Sequence, residues 1–470
     1  MSNIAYFRTK KRIDITAFCP QFSANNKITA MYRDTIEDLI AWKNDKNRKP
    51  LILRGARQVG KTWLMKEFGK KAYKKTVYVN FDNEDNLKEL FKPDLNVARI
   101  ISTLEILAGE KINPDDTLII LDEIQSAERG LNSLKYFNED APQYHIMAAG
   151  SLLGMSLKPN ESFPVGKVNF LTLRPMSFYE FLQANGKTQY LEALKNGNWD
   201  VLRMFHDKLI ELLKYYMFVG GMPAAVSEFA DSRDVFKVRQ IQKDIITSYE
   251  SDFAKHAPDK HIPRIRMVWQ NIPSQLAKEN KKFIYSAIRS GARAKDFEVA
   301  IQWLVDCGLI LKNYNTETPQ LPLSAHENID IFKLYLLDIG LLGALSNLDA
   351  KTIIEGNSLF VQTKGAFAEQ YAMQELSLDD NPCAYWTNPT GNAEVDFVKQ
   401  ISSEIFPVEV KSADNVKAKS LNIYREKYSP KLAIRASLKN YGLENNILSL
   451  PLYALGSLSK YCEDRISGKL

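Results

Sequence analysis

Cysteine and histidine are scarce in this chain. The four cysteines, Cys19, Cys307, Cys383 and Cys462, show no CxxC spacing and no pairing pattern. They argue against a disulfide framework and a structural zinc site, and they fit a reducing cytoplasm. Five scattered histidines argue against a histidine-built metal centre. No stretch approaches the roughly 20 apolar residues that span a bilayer, so no membrane partner is expected. Residues 1–12 are polar and basic and lack the apolar core of a secretory signal. Internal repeats and low-complexity segments are missing. The balance is ordinary for a globular protein, 45% apolar and 25% charged. At roughly 150 residues per domain, 470 residues give two or three domains. Lys and Arg total 62 against 56 Asp and Glu, a net charge of +6. That permits nucleic-acid binding without arguing for it.

The hydrophobic pattern divides the chain. Residues 1–30 read as an N-terminal extension. From 31 to 175, apolar strands at 51–54, 76–81, 117–121 and 145–149 alternate with helices. Ile36, Leu39, Ile40 and Trp42 place most of one apolar face on the first helix. Such alternation implies right-handed crossovers and a doubly wound parallel sheet, an α/β fold. Residues 176–260 read as a helical lid, interrupted by Gly220-Gly221-Met222-Pro223. Residues 261–330 give helices followed by a pair of strands, a winged-helix-like order. Residues 331–470 return to α/β, with a helix at 364–376 and strands at 383–387, 393–399, 405–411, 432–435 and 447–451.

The strongest motif is Gly55-Ala56-Arg57-Gln58-Val59-Gly60-Lys61-Thr62, a match to GxxxxGK[ST] between an apolar strand and a helix. The glycines let successive backbone N–H groups wrap a phosphate, and the helix N-terminus adds a favourable dipole. Lys61 supplies charge to the β- and γ-phosphates, and Thr62 a hydroxyl to Mg²⁺. The apolar run 118–121 then ends in Asp122-Glu123, at the strand end where open α/β sheets bind ligands. Asp122 is expected to hold Mg²⁺ and Glu123 to act as general base on the attacking water. Ser151 follows the next strand and could sense the γ-phosphate or close a turn. Gln125 could orient water or cap a loop. Arg57, Arg129 and Arg174 are candidates for a catalytic arginine, each also readable as structural.

These residues resemble a family. RGARQVGKT at 54–62, LIILDEIQ at 118–125, AAGSLL at 148–153 and LRPMSFYEFL at 173–182 are similar to the bacterial and archaeal AAA-type ATPases with a C-terminal domain of unknown function. The likeness continues in GGMPAAV at 220–226, FKLYLLDIGLL at 332–342 and GAFAEQYAMQEL at 365–376, and covers about residues 31–450. It implies ATP binding, a lid and winged-helix region, and a restriction-endonuclease-like C-terminal fold. Lys167 stands where that group usually has arginine, which leaves an arginine contact there open.

The C-terminal part carries its own pattern. Asp396 lies on one expected strand, Glu409 and Lys411 on the next, and Glu369 on the preceding helix. Residues two apart share a strand face. This is a D…ExK arrangement, in which Asp396 and Glu409 could hold Mg²⁺ or Mn²⁺ with Glu369 as an outer ligand, and Lys411 could position water. The plain alternative is a solvated face with an ion pair. Lys278, Lys281, Lys282, Arg289, Arg293 and Lys295 cluster in the winged-helix-like region, where they could meet DNA phosphates or simply face water. Tyr285 and Trp303 are interleaved there, Trp303 reading as core. Two functions fit best. One is a Mg²⁺-dependent ATPase coupled to nucleic-acid processing through the nuclease-like domain. The other is a nucleotide-operated switch that binds a protein or DNA partner without cleavage. A small-molecule phosphotransferase fits poorly with the long C-terminal half.

Overall fold

The computed structural model describes residues 32–83, 85–150, 164–278, 281–349, 364–391, 393–411 and 419–469. The expected extension at 1–30 and Ser151 lie outside them.

Five strands form the first sheet: β1 (Leu51–Arg54), β2 (Lys75–Asn80), β3 (Thr117–Asp122), β4 (His145–Ala149) and β5 (Asn169–Thr172). Their order is β2-β3-β4-β1-β5, and every pair is parallel. Successive residues feed different cores. Leu51, Leu53, Leu118, Ile120, Met147 and Ala149 enter one; Ile52, Ile119, Leu121, Ile146 and Ala148 enter the other. Both faces are therefore covered, which is why β1, β3 and β4 read as unbroken apolar runs. Helices α1 (Thr35–Asn44) and α2 (Lys61–Ala72) pack on the first face, and α3 (Val97–Ala108) and α4 (Gly130–Asp140) on the second. On α1, Ile36, Leu39 and Trp42 are buried while Ile40 is 45% exposed, so Ile40 lies off the expected apolar face. Strand β5 was not expected from the sequence. It is a half-exposed edge strand, and its burial alternates too weakly to stand out.

Eight α-helices follow among the described residues: α5 (Phe178–Ala184), α6 (Thr188–Asn196), α7 (Trp199–Met204), α8 (His206–Val219), α9 (Pro223–Ser232), α10 (Val235–His256), α11 (Ile262–Leu276) and α12 (Ala294–Asp306). The strand pair after α12 is β6 (Ile310–Thr316) and β7 (Asn328–Leu336). These strands do not stand apart as a free wing. β6 pairs in parallel with β8 (Cys383–Thr387), which makes them one end of an eight-stranded mixed sheet. A lone hairpin is marginal in water, and joining a larger sheet satisfies its edge. The expected division at 330 falls inside β7. The sheet continues through β9 (Glu394–Ile401), β10 (Glu404–Lys411), β11 (Ala433–Ser437) and β13 (Ile447–Pro451) to β12 (Gly442–Glu444).

One junction ties the two sheets. Between α8 and α9, Gly221 N donates to Asp338 Oδ2 at 2.6 Å, and Met176 N donates to Gly221 O at 2.7 Å. Asp338 also caps α13 (Ile339–Leu345), accepting from Leu341 N at 3.0 Å. A Cβ on Gly221 would sit 2.0 Å from Met176 O, and one on Gly220 2.3 Å from Asp338 Oδ1. Both neighbours are fixed by hydrogen bonds and cannot yield. Gly221→Ala is therefore expected to destabilise the fold by about 3 kcal/mol, the upper range for overpacking. Thermal unfolding of the variant checks this, and a melting temperature equal to the parent's would refute the clash.

Candidate functional site

The phosphate loop runs from the end of β1 into α2. Gly55 and Gly60 have φ of +145° and +96°, conformations that side chains avoid. A Cβ on Gly55 would also lie 2.2 Å from Leu173 O. Ala56 and Val59 are buried, Gln58 faces outward, and α2 starts at Lys61 with Gly60 as its cap. Lys61 is 8% exposed, and its ammonium spans the loop, donating to Gly55 O and Ala56 O at 2.8 Å. Burial pulls its pKa down to about 8, against the opposing pull of Glu123 and Asp122.

Asp122 ends β3 directly beside the start of α2. Its Oδ2 accepts from Thr62 Oγ1 at 2.7 Å and from Tyr78 OH at 3.0 Å. The two motifs, 60 residues apart in sequence, therefore share a hydrogen bond. A hydroxyl and a carboxylate so placed are hard oxygen donors of the kind Mg²⁺ takes alongside phosphate oxygens. Glu123 sits in the left-handed region, φ 52°, and Gln125 Nε2 donates to its Oε2 at 2.5 Å. Tyr78 was missed by the sequence reading. Its signal is modest: a tyrosine with Asn80 on alternate positions of β2, both turned toward the strand end that carries Asp122.

The candidate arginines separate. Arg57 forms an ion pair with Asp252, and its carbonyl accepts from Tyr249 OH at 2.7 Å, so α10 grips the loop there. Arg129 donates to Lys92 O at 3.2 Å. Arg174 offers its carbonyl to Arg33. Arg33, which the sequence reading passed over, is 3% exposed and pairs with Glu180 at 2.9 Å. It also donates to Val59 O at 2.9 Å and so fixes the loop's backbone. Lys167 pairs with Glu139 at 2.8 Å.

In the second sheet, Glu369, Asp396, Glu409 and Lys411 come together. The antiparallel register Val408↔Phe397 sets Asp396 beside Glu409, and Val410 N donates to Asp396 Oδ2 at 2.8 Å. Lys411 pairs with Glu409, consistent with a shared strand face. Glu369 comes from the helix Lys364–Leu376. It pairs with Lys281 and lies 3.8 Å from Lys333, with Tyr335 OH donating to it at 3.4 Å. Lys333 also pairs with Glu394 at 2.6 Å. Burial and the neighbouring Glu369 and Glu409 push the Asp396 carboxyl well above its usual range. Burial raises Glu409 too, against Lys411. Burial also acts to raise Glu369, but Lys333 and Lys281 outweigh it and hold that carboxyl low. Among the described residues, no group of three or more His, Cys, Asp or Glu is arranged to hold a metal ion. Lysine ammonium groups contact two of the gathered carboxylates, Glu369 and Glu409. Lys333 and Tyr335 were also missed, although they alternate on β7 and so share a face.

Lys281 is thus not on an outward phosphate-binding face. A carboxylate as buried as Glu369 needs a paired cation, and Lys281 is drawn inward to it. Arg289, Arg293 and Lys295 are exposed, and Lys278 and Lys282 half-buried. Trp303 is buried against Phe253 with ring centroids 5.5 Å apart, and half-buried Tyr285 packs on Phe283 at 5.2 Å. Neither ring is a free stacking platform.

A family model for the AAA domain matches residues 47–182. Two domains of unknown function match residues 210–352 (DUF8612) and 364–455 (DUF4143). With its parallel sheet and phosphate loop, the matched segment 47–182 is an AAA-type P-loop domain, followed by regions of unknown function. Comparison with curated proteins finds no match. Among solved structures, the chain is 16% identical to the Walker-type ATPase Paby2304 of Pyrococcus abyssi, with a TM-score of 0.44, covering 69% of this chain and 99% of that one. It is 13% identical to the Orc1 protein of Aeropyrum pernix in complex with DNA, TM-score 0.29, covering 71% and 96%. It is 11% identical to the RuvB Holliday junction branch migration motor of Thermotoga maritima, TM-score 0.29, covering 62% and 93%. No described helix is long and apolar enough to cross a membrane.

The position of Lys61 has a measurable consequence. A phosphate ligand needs the charged ammonium, whose pKa is drawn to about 8. ATP affinity is expected to fall as pH rises through about 8, and Lys61→Ala to weaken binding by on the order of 2–5 kcal/mol. Calorimetric titration across pH checks both. Unchanged affinity in the variant would remove Lys61 from the site.

Proposed function

We propose that the protein binds ATP with Mg²⁺ at the phosphate loop, hydrolyses it, and couples turnover to nucleic-acid engagement through its C-terminal half. The observation that carries the first part is the Thr62–Asp122 hydrogen bond beside Lys61. Backbone N–H groups of residues 55–62 would cradle the phosphates, with Lys61 on the β- and γ-phosphates. Thr62 and Asp122 would hold Mg²⁺, which when bound offsets phosphate charge. Glu123 would take the proton of the attacking water, with Gln125 fixing its carboxylate. Ser151 is a candidate contact to the terminal phosphate. In this reading the chain divides into an ATPase unit (31–175), a helical lid (176–260), a winged-helix-like region (261–330) and a nuclease-like unit (331–470), in a cytoplasmic setting.

At the C-terminal site, Asp396 and Glu409 would hold Mg²⁺ or Mn²⁺, with Glu369 as outer ligand and Lys411 positioning water. That chemistry requires Lys281 to leave Glu369. The second reading, a nucleotide-operated switch binding a DNA or protein partner without cleavage, is favoured by one fact: Lys281 and Lys333 already neutralise Glu369.

Glu123→Gln keeps size and removes the base. It is expected to preserve ATP affinity and slow hydrolysis by about 10²–10⁴. Steady-state turnover beside equilibrium binding checks this, and turnover at the parent rate would exclude Glu123 as base. For the C-terminal site, Lys281→Gln is expected to tighten Mn²⁺ binding in nucleotide-free protein by about tenfold. Adding Asp396→Asn should abolish that gain. If neither the parent nor the Lys281 variant takes up Mn²⁺ sensitive to residue 396, the switch reading replaces the nuclease reading.

A further inference from the structure

A cleft of about 590 Å³ opens between the first sheet, the end of α12 and β6. It touches the phosphate loop through Gly55, Ala56 and Val59, but Lys61, Thr62 and Asp122 do not line it. A cavity of this size suits a small ligand or a short stretch of a polymer. Gly308, φ +70°, brings the turn after α12 close to the loop: a Cβ there would lie 3.6 Å from Ala56 N. The cleft is thus a built space between elements far apart in sequence.

Three cations line it: Arg54 at the end of β1, Arg174 just beyond β5, and Lys312 on β6. None of their charged groups has a hydrogen bond or ion pair with a described residue. The Arg54 guanidinium lies 3.3 Å from the centroid of the Phe170 ring. The Lys312 ammonium stands 4.7 Å from the Tyr314 ring and 4.1 Å from that of Phe332. Arg174 is half-buried, and burial pulls its guanidinium below its usual value. The carboxylate lining the cleft is Asp306, which accepts from Gln302. Asp379 and Asp380 act on Arg174 only at longer range, and Asp379 is taken by Lys399 and Ser459. A guanidinium removed from water with no partner is unfavourable unless an anion supplies one. Arginine forks match phosphate oxygens, and Tyr314, beside Lys312, also lines the cleft.

We infer that this cleft, which adjoins the ATP site through the start of the phosphate loop, is a second anion site that takes a phosphate group on Arg54 and Arg174 with Lys312 as the third cation. Two sources share that chemistry: the backbone of a single nucleic-acid strand, or a free phosphate compound. The first source rests on the nucleic-acid reading proposed above; the second does not.

The test uses the full-length chain carrying Lys61→Ala, so that the ATP site makes no contribution. Fluorescence anisotropy measures binding of a labelled single-stranded oligothymidylate, and calorimetry measures inorganic pyrophosphate. Arg174→Gln is expected to weaken the bound probe by about tenfold, and Arg54→Gln, at an exposed position, to act in the same direction. Lys46→Gln, in the exposed turn after α1, should leave binding unchanged. Loss of oligothymidylate binding on Arg174→Gln assigns the cleft to a strand backbone. Pyrophosphate binding that depends on Arg174, without oligothymidylate binding, supports the cleft while the nucleic-acid reading fails. If neither probe binds, or if both bind equally to the Arg54 and Arg174 variants, the inference is overturned.

Discussion

The phosphate loop depends on a clamp outside its own sheet. Arg33, before α1, reaches Val59 O, Arg174 O and Glu180 at once. Removing a guanidinium and a carboxylate from water is costly, and the pair is tolerable only because further hydrogen bonds satisfy both. Glu180 does so by also accepting from Asp34 N at 2.8 Å and Ser177 N at 2.9 Å. The clamp thereby sets three things together: the loop backbone, the start of α1 and the start of α5. With Arg57 held by Asp252 and Tyr249 on the other side, the loop is fixed from two directions. Preorganised N–H groups are what a phosphate site requires, since donors already in place need not be ordered on binding.

The carboxylate cluster follows a different rule. It gathers acids that cannot all stay charged without cations. Lysines supply those cations from three elements: Lys411 from β10, Lys333 from β7 and Lys281 from the segment after α11. Even so, Glu409 Oε2 is buried with no hydrogen-bond partner among the described residues. A cluster built only for stability would more simply be apolar, because replacing buried ion pairs with packed hydrophobic groups is often neutral or favourable. Its placement against one sheet is a reason to look there for chemistry or for a switch.

The sequence was most informative where one local signal decides the outcome. β1, β4 and β8 fall on the expected residues because apolar runs bounded by turn formers specify buried strands. The loop at 55–62 was equally clear, since its glycines and Lys61 act through backbone geometry nearby. What stayed hidden depends on distant partners. Arg33 looks like any basic residue ahead of a helix until Glu180 is folded against it. Lys281 looked like a surface cation because nothing in its neighbourhood announces a buried acid 88 residues later. Edge strand β5 escaped for the complementary reason: it is half-exposed, so burial did not write a strong pattern into it.

The two sites also share a mechanical connection. Pro223 packs near Gly60, where a Cβ would meet its ring at 3.5 Å, and the adjoining Gly221 is bonded to Asp338. From Asp338 the path enters α13, whose Ile339 N donates to Gln374 at 3.0 Å, while Gln374 Nε2 donates to Tyr216 OH at 2.8 Å. Gln374 lies on the helix that carries Glu369. On that helix Gln370 bonds both the N–H and the carbonyl of Leu336, locking it to β7, the strand of Lys333 and Tyr335. Each step is a hydrogen bond or a packed contact, and the glutamine side chains that carry several of them, Gln370 and Gln374, are buried. Close-packed elements pass displacement on rather than damping it. The 220–223 turn is thereby joined, through Asp338 and α13, to the helix of Glu369. Lys281 reaches that helix from a separate segment, through its ion pair with Glu369.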